Sequence, residues 1–215
     1  MKVTKKTKVK RSPKRGFYDK ETIYKILDNH FVCQIAFVYE GYPVVIPTIY
    51  GRDDDKLYIH GATVSRMLLE LEKGVPMSIN ITQTDGIVLA RSAFHHSLNY
   101  QSVTIFGQAS IVTDENERYK ALKLISDQII PYRWEEVRSP SKKELKATKI
   151  LKIPIMEASA KIRKGPPSDE KKDYNLPIWA GEIPITSIMQ NPISDSKLKE
   201  GIPIPESVKK LMKNM

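Results

Sequence analysis

The sequence predicts a mainly β fold with peripheral helices, in which six or so antiparallel strands form a closed or nearly closed barrel. Three observations predict it. Residues 31–39 and 42–50 are β-rich runs, and residues 75–82 alternate with Met77, Ile79 and Ile81 on one face. The β-rich runs are joined by tight turn pairs, Glu40-Gly41 and Asp85-Gly86, which make antiparallel neighbours and rule out a βαβαβ order. Helical spacing is confined to short stretches between and after the strands.

In chain order, residues 1–16 read as a disordered basic tail. Asp19 caps a first helix with Ile23, Ile26 and Leu27 at helical spacing. Residues 31–39 and 42–50 form a hairpin across Glu40-Gly41, and the acidic turn 51–56 leads into a strand at 57–60. A helix after Ser65 buries Met67, Leu68 and Leu71 and stops at Gly74. Strands are expected at 75–82, at 86–92 after the Asp85-Gly86 turn, and at 100–113 with a bulge at Gly107. Asp114-x-x-Glu117 opens a helix carrying Leu122, Ile125 and Ile129 before Pro131, and Ser141-x-x-Glu144 starts another. Residues 148–163 return to strand. The domain therefore spans 17–185, and 186–215 read as an extended C-terminal arm ending in a small helix near 206–213.

The length of 215 residues suits one well-buried domain with tails. The net charge of +10 is concentrated: residues 1–15 hold eight basic side chains and no acid, leaving +2 for the rest. A nucleic-acid partner, if there is one, is therefore assigned to the basic tail, which lacks the aromatic residues of a stacking surface. No apolar run approaches the ~18 residues of a membrane span, and the basic N-terminus has no apolar region of a secretory signal. A cytoplasmic protein is expected, with a nuclear location open to so basic a tail. The single cysteine, Cys33, excludes an internal disulfide and lies in an apolar run.

The segment Leu57-Tyr58-Ile59-His60-Gly61, followed by Ser65-Arg66, reads as a strand that stops at a glycine, turns and feeds a helix. Unpaired N–H groups and the positive end of the helix dipole favour an anion there. Ser65 can cap or donate, and Arg66 can grip phosphate oxygens with its fork of donors. Many such junctions hold no ligand, so on local grounds alone a purely structural role is favoured. His95 and His96, placed on a strand, would point to opposite faces; with no matching Cys or carboxylate spacing, no metal site is expected.

Four strings, YIHGATVSR, LARSAFHHSLNYQSVTIFGQA, ASAKIRKGPPSD and Trp179-Ala180-Gly181, occur in order and at family-like spacing. Together they resemble the flavin-nucleotide-binding proteins related to pyridoxamine 5′-phosphate oxidase, in the branch of the nitroimidazole-resistance proteins. The resemblance runs from about Gly16 to Pro184. It implies a six-stranded split β-barrel that forms a homodimer and binds FMN at the two subunit interfaces. The flavin phosphate would then fall on Ser65 and Arg66, with His60 and Gly61 beside the ring. Pro47, Thr48, Ile49 and Tyr50 would offer main-chain groups to the ring's polar edge. Ser102, on the Tyr100–Val103 stretch, and Trp179 would approach the site, some of these groups from the partner.

Two departures shape the expectation. Relatives often carry arginine where this chain has Gln101. Pyridoxamine 5′-phosphate oxidases carry an Arg-x-His-Asp-Arg type segment after the C-terminal tryptophan, whereas no arginine follows Arg163 here, which argues against vitamin B6 oxidation. The expected protein is an FMN-dependent oxidoreductase acting on an unknown small molecule. The alternatives are a flavin carrier without turnover and a nucleic-acid-associated module using residues 1–15.

Overall fold

The computed structural model describes residues 1–213. The chain enters through β1 (Gly16–Phe17) and α1 (Lys20–Asp28), where Asp19 accepts the Thr22 N–H at 2.7 Å and Ile23, Ile26 and Leu27 are buried. Next come β2 (Val32–Tyr39), β3 (Tyr42–Asp53) and β4 (Lys56–Ala62), then α2 (Arg66–Leu71). Glu40 and Gly41 both take positive φ, 49° and 83°, the twist that a two-residue hairpin needs.

The second half holds β5 (Met77–Leu89), β6 (Ser97–Gly107), β7 (Ser110–Ile111), α3 (Glu115–Ile129) and α4 (Lys142–Ala147). It continues with β8 (Thr148–Pro154), β9 (Glu157–Arg163), β10 (Gly181–Pro184) and α5 (Glu206–Lys213). Ser141 and Glu144 form the reciprocal cap of α4. At α3 the cap is one-sided: Asp114 accepts the Glu117 N–H, while the Glu117 carboxylate reaches Tyr58 and Lys152.

All ten strands join one open sheet in the order β1-β9-β6-β5-β2-β3-β4-β8-β7, with β10 paired to β5. This is the split barrel expected, with seven strands besides the short β1, β7 and β10, because residues 148–163, expected as one strand, are two: β8 beside β4 and β9 beside β6. One expected turn is not there. Asp85-Gly86 is a bulge inside a single long strand, because β6 runs antiparallel beside β5 from Met77 to Val88 and the register shifts only between Thr84 and Gly86. One half of β5 pairs β2 at 77–80, and the other half pairs β10 at 86–89. Gly86 suits this crossover, since a Cβ there would sit 3.0 Å from the Ile183 carbonyl oxygen. Gly107 ends β6 opposite Met77 without a bulge.

Alternation along β4 and β8 serves two cores. Leu57, Ile59, Leu151 and Ile153 face the barrel interior with Ile35, Ile79 and Ile105. Tyr58 and Ile150 face outward against Ala121 and Ile125 of α3. Gly51 allows this approach: an added Cβ would lie 2.7 Å from backbone atoms of Leu124 and Ile125.

Residues 1–16, expected as a disordered tail, are placed against the barrel. Thr7 is buried, Met1 packs on the core, Val9 N–H donates to the Tyr18 hydroxyl at 2.8 Å, and Lys6 meets Glu157 at 2.8 Å. Gly16 and Phe17 then pair with Lys161 and Ala160 of β9. The arm beyond residue 185 is largely exposed and ends in α5, where Ser207 N–H donates to Glu136 at 3.0 Å.

Candidate functional site

The split in the barrel decides the geometry. β3 pairs β2 over Tyr42–Ile49 but β4 only over Tyr50–Asp53. Past the Tyr50–Ile59 pair the two strands part, so Pro47, Thr48 and Ile49 present an edge with no strand beside it. On the opposite lip, His60, Gly61 and Ala62 are paired on their other side to β8. An unpaired β edge is a row of main-chain donors and acceptors.

The turn after β4 leads to α2. Ser65 is its N-cap: its carbonyl accepts from Leu69 N–H at 2.9 Å, but its hydroxyl caps no backbone N–H. The N–H groups of the first turn have no acceptor within the helix. Arg66 is exposed, its guanidinium 5.2 Å from the centre of the Tyr39 ring, and no carboxylate pairs with it among the described residues. Leu68, fully buried, passes 3.0 Å from where a Gly61 Cβ would be, so Gly61 allows the helix to close on the strand. His60 is half-buried, and its Nδ1 is buried with no hydrogen-bond partner. Desolvation lowers its pKa from the ordinary histidine value, which keeps the ring neutral at pH 7.

A buried donor or acceptor left unpaired costs about 1–3 kcal/mol. With the cap hydroxyl, a guanidinium unpaired among the described residues and an open strand edge, it supplies the donors and acceptors that an anionic group attached to a ring with a polar rim would use. A flavin carries both a phosphate and such a ring, and the chemistry of these residues fits one.

The other site residues fall differently. Tyr50 is fully buried, its hydroxyl donating to Leu27 O at 2.7 Å and its N–H to Phe31 O at 3.1 Å, so it serves the core. Ser102 sits inside the sheet between Thr82 and Lys161, with its hydroxyl 3.4 Å from Lys161 O. Trp179 is 65% exposed and lies over Gly181, where a Cβ would be 2.9 Å from the indole; it joins β10, on the half of β5 away from β2. Pro47–Ile49 and His60–Gly61 thus lie on the two lips of the split, and Ser65 and Arg66 on the turn and helix that follow β4, with the Arg66 guanidinium over Tyr39 at the tip of the β2–β3 hairpin; Ser102 lies on β6 and Trp179 beside β10. Gln101 donates to the Asp85 carboxylate at 3.3 Å. His95 and His96 lie at a 3-10 turn and not on a strand. Among the described residues, no three His, Cys, Asp or Glu side chains are grouped to hold a metal ion.

Sequence reasoning missed Tyr39 under Arg66, and it missed the Arg91–Asp169 pair. Asp169 accepts from Arg91 N–H at 3.0 Å and from its guanidinium at 3.1 Å, joining two of the motif strings structurally. No local periodicity signals a contact 78 residues apart.

Residues 19–162 match the pyridoxamine 5′-phosphate oxidase family. The chain belongs to that family. Among solved structures it is similar to the flavocytochrome Anf3 from Azotobacter vinelandii, with 36% identity over 96% of both chains and a TM-score of 0.92. It is also similar to the FAD and heme binding protein from Mycobacterium smegmatis, with 35% identity over 91% of this chain and 96% of that one, TM-score 0.87. A protein assigned to 5-nitroimidazole antibiotic resistance in Bacteroides thetaiotaomicron shares the fold, at 22% identity over 68% and 86% of the two chains, TM-score 0.58. Among curated proteins, none matches this sequence. No described helix is long and apolar enough to cross a membrane.

Proposed function

We propose that this chain is a flavin-dependent oxidoreductase that works as a homodimer and holds the phosphate of an FMN group at Ser65 and Arg66. The observation that carries the reading is a set of groups left without partners among the described residues: the Arg66 guanidinium and Ser65 hydroxyl at the start of α2, the buried His60 Nδ1 on β4, and the free edge of β3 at the split. Arg66 and the first-turn N–H groups of α2 bind the phosphate; Pro47–Ile49 and His60 orient the ring's polar edge and keep water from it. A neutral His60 can hold a proton at one ring nitrogen and accept at the other. The bound flavin supplies hydride acceptance and donation.

The dimer is supported by exposed apolar side chains. Trp179 is exposed beside β10, and Val38 and Val45 are exposed apolar residues of β2 and β3. A second copy can cover these apolar residues.

A second reading concerns the cofactor set. The two similar proteins at 35–36% identity are named as a flavocytochrome and as a FAD and heme binding protein. On that ground the flavin here is FAD, used together with haem. The FMN half, and so the Ser65-Arg66 phosphate site, is common to both readings. Vitamin B6 oxidation is not proposed: no arginine follows Arg163 to hold a substrate phosphate. Anaerobic titration with NADH or NADPH, followed by a panel of acceptors, tests the oxidoreductase reading. Bound flavin that no nicotinamide reduces would make the protein a carrier.

A further inference from the structure

A cleft of about 610 Å³ lies between the N-terminal segment, the turn before β6 and the end of β9. Arg11, Arg15, Lys161 and Arg163 line it, with His95 and His96, and among the described residues no carboxylate does. It includes none of residues 47–50, 60, 61, 65 or 66.

Like charges gathered without a counter-charge raise the energy of the free protein and await an anion. Arg163 states this most sharply. It is 6% exposed; its two terminal nitrogens donate to Asn99, Gly165 O and Pro166 O, but its Nε is buried with no partner. Burial and the neighbouring Arg15 lower its pKa, with Glu182, reached through Asn99, opposing that from behind. Glu170 stands 3.9 Å from His95 outside the cleft lining. Aromatic rings border the cations: Phe94 is 89% exposed, and Tyr100 lies on β6 across from Arg163. Cations that hold phosphates, next to an uncovered ring on which a base can stack, form a nucleotide-binding surface.

We infer that this cleft binds the adenosine diphosphate moiety of a nucleotide, with Arg11, Arg15 and Lys161 on the phosphates and Phe94 against the base. The moiety can come from a free nucleotide, such as a nicotinamide reductant, or from the adenylate half of a bound FAD. The N-terminal segment is then a wall of the site, which accounts for basic residues that the flavin reading leaves unused.

The test uses the full chain as purified. ADP, pyrophosphate and adenosine are titrated by calorimetry, and the flavin released on denaturation is identified and counted. A free-nucleotide site binds ADP at least tenfold more tightly than pyrophosphate, loses at least tenfold in the R11Q/R15Q double variant, and loses the ADP preference in Phe94→Ala. Flavin per chain stays unchanged in these variants. If FAD fills the cleft, ADP gives no heat, the released flavin is FAD, and R11Q/R15Q purifies with less of it. Equal binding of ADP and pyrophosphate overturns the nucleotide assignment. So does ADP or FAD retention in R11Q/R15Q at the wild-type level, or an FMN-only protein that binds no ADP. A colourless protein that still binds ADP in this pattern would sink the flavin reading and keep this one.

Discussion

Arg66→Ala separates the binding of flavin from the stability of the barrel. The side chain is exposed, makes no ion pair among the described residues and touches Tyr39 only through its guanidinium face. An exposed cation–π contact contributes about 0.5–1 kcal/mol, small beside the ~5–15 kcal/mol stability of a folded domain. The unfolding midpoint should therefore barely move. A charge-assisted hydrogen bond to a phosphate contributes about 1.5–3 kcal/mol, or roughly ten- to 150-fold in affinity at 1.4 kcal/mol per decade. Titrating flavin-depleted wild-type and variant protein with FMN and with FAD, read by quenching of flavin fluorescence, measures that ratio. Arg66→Lys should fall between them, since lysine keeps the charge and loses the fork. Wild-type affinity in Arg66→Ala, with the fold intact, would refute the phosphate assignment.

Further outcomes follow from the same structure. Because desolvation depresses the His60 pKa, the unfolded chain takes up its proton first as pH falls below ~6.5. Stability is thus full above that pH and declines as acidity rises towards the depressed folded value. His60→Gln should flatten part of this decline in denaturant melts, with His30, also lowered by burial, leaving a residual slope. An unchanged slope would show that His60 is solvated. Gly51→Ala should lower stability by about 1–3 kcal/mol, because its Cβ meets the α3 backbone at 2.7 Å; an unshifted urea midpoint would contradict that packing. Burial pushes the Cys33 thiol up to about 12, so native protein should resist iodoacetamide and label only in denaturant. Rapid labelling without denaturant would count against a buried thiol.

Features set by neighbouring residues were legible in the sequence. The Glu40-Gly41 turn, the Asp19, Asp114 and Ser141 caps and the Met67–Leu68–Leu71 face of α2 all follow from chemistry within a few positions. Asp85-Gly86 shows where that stops. The same residue types make a turn or a bulge depending on the partner strand, and here β6 and β10 hold β5 straight through. Tyr50 reads as one more strand residue until α1 supplies Leu27 O for its hydroxyl. Charge composition described the N-terminal segment as solvated, yet Met1 and Thr7 find seats that only the folded barrel provides. Ser65, Arg66, His60 and Gly61 are close in sequence, so the strand–turn–helix joint that carries them was legible. Tyr39 and the Arg11–Arg163 cleft are assembled by long-range pairing, which periodicity does not report.

The most direct measurement is the absorption spectrum of the purified protein, followed by heat release and identification of the pigment. A flavoprotein shows the two oxidised-flavin bands and releases one flavin per chain, with an added Soret band if haem accompanies it. A colourless protein that neither releases flavin nor takes up FMN or FAD would contradict the assignment of the split to a flavin.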